Sequence, residues 1–180
     1  ADGHTGIEHT FPVEMIYDDV KQFWKDTHVG YSPTLVVAYG GLGGENYWYD
    51  HMDIWNHQRV LSYVPPQIIK PRATRRLHAP EHDYNHIREA RICKIAYDLG
   101  LTVSPGGHGQ LNGMATHWEM WGFQQGGMTP MEALRCGTLL AAKYIGMDKD
   151  IGSIEAGKLA DLVVFDKGKD PTKNIRETEF

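Results

Sequence analysis

The run Leu35-Val36-Val37-Ala38 constrains this chain most. Four consecutive apolar residues leave no side for solvent, so a strand built on them is covered on both faces, as in a parallel sheet flanked by helices. The pattern predicts a strand over residues 31–39. A shorter apolar segment over residues 5–11 carries Ile7 and Phe11 and ends at Pro12, which predicts a brief strand with His9 at its terminus. Between the two, Met15, Ile16, Val20, Phe23 and Trp24 recur at three- and four-residue spacing among Asp18, Asp19, Lys21 and Lys25. That spacing predicts an amphipathic helix from Glu14 to about Thr27, its acidic start matching the helix dipole.

After the apolar run, a glycine-rich turn over residues 40–46 leads into Tyr47, Trp48 and Tyr49 and a helix through Ile54, Trp55, Val60 and Leu61. Residues 65–82 hold Pro65, Pro66, Pro71 and Pro80 beside Lys70, Arg72, Arg75, Arg76 and His78, and read as an excursion over the surface. Helical spacing resumes over residues 83–99 through Ile87, Ala90, Ile92, Ile95, Ala96 and Leu99, and Gly100 stops it in the left-handed position that follows a helix. Residues 101–104 predict a third short strand, closed by Pro105, Gly106 and Gly107. A helix over residues 118–125 ends at Gly126 and Gly127. Thr129, Pro130 and Glu132 form the signature of a second helix start, running through Leu134 and Leu139 toward Gly146. Residues 152–154 and 162–165 read as two closing strands around a turn at Ala156 and Gly157. Strand and helix alternating over the first 145 residues is the order of a parallel α/β unit, with a separate β element behind it.

Composition narrows the function classes. The chain has 180 residues, 41% hydrophobic and 23% charged, which supports a buried core and excludes a disordered linker. A net charge of −5 offers no basic footprint for nucleic acid. No stretch approaches the ~18 apolar residues of a membrane span, and the start lacks the basic and apolar blocks of a signal peptide. Cys93 and Cys136 each lie in an apolar helical stretch without paired or metal-type spacing. Residues 1–6 lack an initiator Met and run straight into Ile7, as if the chain were entered mid-fold. Against these ordinary totals stand 10 His and 20 Gly, the proton-transfer and metal side chain and the residue of strained loops.

In parallel α/β proteins the reacting groups collect on loops at the C-terminal ends of strands. Three candidates fall there: His9, the turn through Glu45, and His108. The plainer reading of His9 is a hydrogen-bonded strand-end imidazole, and of His108 an exposed turn residue among glycines. Strand alternation sends Ile7 and His9 one way and Glu8 the other. His117 and Glu119, two apart on a helix, do not share a face, so only one of them points into a site. Glu119 also fits a carboxylate matching the dipole of a first turn. His51, His57 and His86 lack partners at ligand spacing and read as surface residues. Tyr39, Tyr47, Trp48 and Tyr49 fit an aromatic mouth or plain packing. HExxH pairs, phosphate loops and nucleophile elbows are absent.

Residues 2–9, Asp2-Gly3-His4-Thr5-Gly6-Ile7-Glu8-His9, resemble the strand-six signature of the metal-dependent amidohydrolase superfamily, in which an IEH motif supplies a metal-ligand histidine. Residues 128–134 with Thr138, Ala141, Ala142, Ile145 and Gly146, followed by GSIEAGKLADLVV over residues 152–164, are similar to the closing helix and β-sandwich return of that superfamily's imidazolonepropionase-like members. YGGLGGENYWY over residues 39–49 and GGHGQLNGMATHWEMWGFQQGG over residues 106–127 resemble amidohydrolase domains fused behind TolB-like propellers. The resemblance implies an α/β fold in which residues 1–148 supply strands six to eight of a (β/α)8 TIM barrel and residues 149–180 the returning strands of a small composite β-sandwich. It implies zinc or another divalent metal, held by His9 and His108, and hydrolysis of non-peptide carbon–nitrogen bonds by a metal-activated water. His108, Glu119 and His117 become catalytic candidates, and Tyr39, Glu45 and Tyr47 substrate-binding ones.

The superfamily places an Asp ligand and general base just after Gly107, where this chain has His108. That departure keeps a non-catalytic binding barrel as the alternative. The implied partners are a small-molecule substrate, the missing N-terminal half of the barrel with its strand-one HxH, strand-four Lys and strand-five His, and further copies of the chain. The residues leave the compartment open, and the resemblance points to the periplasm or the exterior.

Overall fold

Among the described residues the sheet is built from three short parallel segments, and a separate parallel bridge joins Leu42 to Tyr84. Strand β1 (Gly6–Glu8) pairs in parallel with β2 (Gly30–Ser32), with Gly6 opposite Gly30, Ile7 opposite Tyr31 and Glu8 opposite Ser32. On the far side of β2, Tyr31 N donates to Thr102 O at 2.8 Å and Tyr31 O accepts from Ser104 N at 2.9 Å, which makes a parallel bridge to Val103. The three segments therefore stand side by side in chain order. The computed structural model describes residues 3–179, so Ala1 and Asp2, at the start of the first strand motif, and Phe180 lie outside the described residues.

Glycine on β1 and β2 makes room on one face of the sheet. A Cβ at Gly6 would stand 2.3 Å from the Tyr144 hydroxyl and one at Gly30 2.8 Å from its ring, and that hydroxyl donates to Glu8 Oε1 at 2.6 Å. On the other face, fully buried Tyr31 stacks on Phe11 and meets Trp24 edge-on, each with ring centroids 5.2 Å apart. Trp24 belongs to α1 (Asp18–Thr27). Its indole N–H donates to Val29 O at 2.8 Å, locking the end of α1 onto the start of β2. The rest of this layer is α5 (Asn85–Asp98) and α6 (Met114–Gln125). Their close approach depends on Gly126, where a Cβ would lie 2.2 Å from the Ala90 carbonyl.

The apolar run does not form the strand predicted over residues 31–39. Strand β2 ends at Ser32, Thr34 turns into the left-handed region at φ 57°, and residues 35–37 form a turn. Leu35 and Val36 are nonetheless buried. Their carbonyls accept from Gly44 N at 2.8 Å and Glu45 N at 3.0 Å, the first amides of α2 (Gly44–His51). The run thus caps a helix instead of extending a ladder, and its burial on all sides is satisfied by a turn set deep in the fold.

Two further expectations are corrected. Residues 65–82 contain a helix, α4 (Pro66–Thr74), which follows α3 (Gln58–Tyr63) and buries Ile69 and Ala73. Pro66 sits in its first turn, where a missing N–H costs nothing. Residues 152–154 and 162–165 are irregular backbone without a ladder partner among the described residues, and Val164 is 91% exposed. The helix-start motif is formed as expected. Thr129 N donates to Glu132 Oε2 at 2.7 Å and Glu132 N to Thr129 Oγ1 at 3.3 Å. From it α7 (Pro130–Arg135) continues through a π-helical stretch, Cys136–Leu140, into α8 (Ala141–Tyr144). A closing 3-10 turn, Ile175–Glu179, docks on α6. There Trp121 Nε1 donates to Ile175 O at 2.9 Å, and the Arg176 guanidinium lies 4.1 Å from the Trp121 ring centroid.

Glu119 of α6 joins the loops at the C-terminal end of the sheet. It is 0% exposed. Its Oε1 accepts from Val36 N at 2.7 Å and its Oε2 from Gly106 N at 3.4 Å. Burial pushes its pKa from the usual 4.5 up to about 7, with the amides of Val36, Leu35 and Gly106 opposing. Between those values the folded chain keeps a proton that the unfolded chain has released. The group's contribution to stability is therefore full below pH 4.5 and lost as pH rises through 7. Glu89, also buried and pushed up to about 7, acts in the same window. In urea unfolding across pH, the stability advantage of wild type over Glu119→Gln is expected to shrink between pH 4.5 and pH 7. A difference that stays constant would contradict this assignment.

Candidate functional site at the C-terminal ends of the strands

Backbone strain collects on the loops that leave the three strands. Among the described residues, five that are not glycine have positive φ: His9 at 70°, His28 at 51°, Thr34 at 57°, Ala38 at 37° and His108 at 51°. His28 closes α1 in an ordinary left-handed cap. The other four all follow strand ends, and a branched Thr in this region is a genuine outlier. Such conformations cost ~1–3 kcal/mol each and persist where the surroundings over-determine them.

His9 terminates β1. Its N–H donates to Ser32 O at 2.8 Å, completing the β1–β2 ladder, while the positive φ breaks the alternation that would have paired its direction with Ile7. Its imidazole lies 5.1 Å from the ring of His108, edge-on, and 5.5 Å from Tyr39. His9 Nδ1 is buried and has no hydrogen-bond partner. A desolvated nitrogen without a partner is costly, so this atom points to something that would bind it.

His108 reaches His9 because the loop carrying it packs tightly on the β2 loop. A Cβ at Gly106 would come within 2.7 Å of Thr34 Oγ1 and 3.0 Å of Ser32 Oγ, so only glycine permits the approach. Glu119 holds the same two loops from behind. Tyr39 is fixed beside His9 by two bonds: its N–H donates to Thr10 Oγ1 at 3.0 Å and its carbonyl accepts from Asn85 Nδ2 at 3.1 Å.

The remaining predicted site residues separate into distinct surroundings. Glu45, in the first turn of α2, is mostly buried. Desolvation pushes its pKa up, while the Arg72 guanidinium, 3.4 Å away, and Gln110 favour its charge. Tyr47 stands away from the two imidazoles, stacked on His51 at 3.9 Å and edge-on to Tyr84 at 5.2 Å. Because α6 begins at Met114, Glu119 lies beyond the first turn and acts as a loop tie, not as a dipole match. His117 faces the closing turn, its Nδ1 3.1 Å from Thr178 Oγ1, and burial lowers its pKa.

Two histidines read as surface residues are engaged. His57 accepts from Val60 N at 3.2 Å at the start of α3 and pairs with Glu179. His86 is fully buried against Gln125, with its pKa lowered to about 4 by desolvation. Thr10, Asn85 and Gln110 are isolated polar residues in the sequence and carry no spacing signal there. Among the described residues, no group of three or more His, Cys, Asp and Glu side chains is arranged to hold a metal ion. His9 and His108 together supply two imidazole nitrogens, the donor type that suits zinc, so they fit part of a metal site.

Comparison with known proteins bears on the second half of the chain and on the fold. Residues 110–180 match the model of the amidohydrolase family. An imidazolonepropionase of Shouchella clausii (strain KSM-K16) is 67% identical over 39 residues, 22% of this chain and 9% of that protein. A 5'-deoxyadenosine deaminase of Methanobrevibacter smithii is 49% identical over 39 residues, again 22% and 9%. The matched segments thus span only about a tenth of these relatives' length. Two solved structures cover 97% of the chain. One is described as an amidohydrolase, with a TM-score of 0.57, 20% identity and 35% of its length covered. The other is described as an uncharacterized protein, with a TM-score of 0.56, 21% identity and 36% covered. At that identity the two structures speak for the fold alone. The likeness to the amidohydrolase family thus rests on residues 110–180 and on short stretches shared with imidazolonepropionases.

Proposed function

We propose that this chain is the later part of a metal-dependent hydrolase barrel that cleaves non-peptide carbon–nitrogen bonds of a small molecule, with His9 and His108 facing the reacting centre. The observation that carries the reading is the buried, unpartnered Nδ1 of His9 beside the imidazole of His108, both on strained backbone at strand ends. A divalent metal, zinc by donor type, would supply a water of lowered pKa, from 15.7 toward ~7. The chain's own residues do the rest: His9 and His108 offer nitrogens, Tyr39 walls one side of His9, and Glu119 keeps the loops in place. Tyr39 and Glu45 stay as substrate-side candidates, whereas Tyr47 and His117 face other surroundings. The matched relatives' names, an imidazolonepropionase and a deaminase, support the bond class. A TolB-type fusion and a division of the chain at residue 148 belong to the same proposal.

A non-catalytic barrel is the second reading, favoured by the lack of a third metal-binding side chain near the two imidazoles among the described residues. Zinc analysis of the complete protein after equilibrium dialysis separates the two. The hydrolase reading expects bound zinc in wild type and a lower stoichiometry in His9→Ala. Unchanged stoichiometry removes His9 from the site, and a metal-free, folded wild type favours the binding barrel.

An apolar groove of about 480 Å³ lies beside β1, which among the described residues pairs with β2 on one side only, and is lined by Ile7, Phe11, Val20, Phe23 and Trp24 among others. Phe23 is 62% exposed there. Open strand edges and apolar patches of this kind seek cover. We therefore expect residues 1–180 produced alone to self-associate through this side, with preceding barrel units covering it in the complete protein. A monodisperse monomer in size-exclusion chromatography with light scattering would contradict this.

A further inference from the structure

We infer that Gln110, fixed by Arg72 and Glu45, is a positioning residue that sets which ring nitrogen of His108 is left free for the reacting centre. The inference rests on the reading of His108 as a group of that centre. His108 Nδ1 lies 3.0 Å from Gln110 Oε1. The backbone of Gln110 is itself held, because Arg72 Nη1 donates to Gln110 O at 3.0 Å. The same guanidinium nitrogen is 3.4 Å from Glu45 Oε1, and the Gln110 side chain also interacts with the Glu45 carboxylate. Three elements thereby meet at His108: the start of α2, the end of α4 and the loop after the third strand.

The donor and acceptor inventory fixes the direction of this chain of contacts. The Gln110 oxygen faces His108 Nδ1, which leaves the amide NH₂ as the group that meets Glu45. An amide oxygen only accepts, so His108 must donate from Nδ1. A neutral imidazole carries one proton, and with that proton on Nδ1 the lone pair stands on Nε2. That is the atom a metal or a proton needs. The superfamily's Asp, which the resemblance expects at this position, presents oxygens without any choice of tautomer. Replacing it with His makes such a choice necessary, and Gln110 supplies it.

The test uses the complete protein with ¹⁵N-labelled histidine, purified without metal. Long-range ¹H–¹⁵N spectra are expected to show His108 with a protonated Nδ1 and an unprotonated Nε2. In Gln110→Leu the preference should be lost, and zinc affinity measured by chelator competition should fall roughly 10–100-fold, as for other residues that orient metal-bound histidines. The exchange Gln110→Glu with Glu45→Gln, which keeps an acceptor facing Nδ1 and a donor between the two side chains, should restore the wild-type tautomer, which loss of folding alone cannot do. Protonated Nε2 in wild type, or a tautomer unchanged in Gln110→Leu, overturns the inference. Failure of the underlying reading would appear elsewhere, as zinc stoichiometry indifferent to His108→Ala. The spectra would still report on Gln110 in that case.

Discussion

The carboxylate of Glu119 is the contact on which the mouth of this sheet depends. A carboxylate with no solvent exposure is costly unless its oxygens are bonded. Here the bonds come from backbone amides on two different loops, Val36 after β2 and Gly106 after the third strand. Fixing those two amides fixes much else. The β2 loop delivers the carbonyls that start α2, and so sets Glu45. The other loop is pressed onto Thr34 and Ser32 through Gly106 and carries His108. A helix residue that touches neither imidazole thus determines how close they come.

The strained residues fall into place on this account. Thr34 and Ala38 lie on the segment held by Glu119, Thr10 and Asn85, and His9 and His108 on the segments either side of it. Left-handed backbone at non-glycine residues relaxes unless neighbouring contacts prevent it. Each of these loops is bound at more than one point, which lets the strain persist and presents two imidazoles edge-on at 5.1 Å. Distance in sequence is no obstacle. Val36 and Glu119 are 83 residues apart, and their contact is among the shortest polar contacts in the core.

Local signals were legible in the sequence and long-range ones were not. Gly100 ends α5 in a left-handed conformation at φ 81°, and Thr129 with Glu132 closes its capping box, because both motifs depend only on neighbouring residues. His9 and His108 stand out in the sequence as candidates because strand ends can be read from apolar runs. The run Leu35–Ala38 misled because continuous burial is satisfied equally by a central strand and by a turn whose amides are bonded from afar. Helix α4 was hidden by its prolines, although Pro66 suits a first turn. Leu162–Phe165 has strand composition, but no partner strand lies beside it among the described residues. Glu119 was noticed for its charge. Its part in the fold lay in bonds to amides that no sequence spacing reveals.

Whether His9 and His108 meet at one metal ion is the central question, and cadmium-113 substitution in the complete protein with ¹⁵N-labelled histidine answers it most directly. The account expects ¹⁵N coupling from a single cadmium resonance to ring nitrogens of both His9 and His108, each coupling vanishing in its own alanine variant. Coupling to neither residue, or to only one of them, would contradict it.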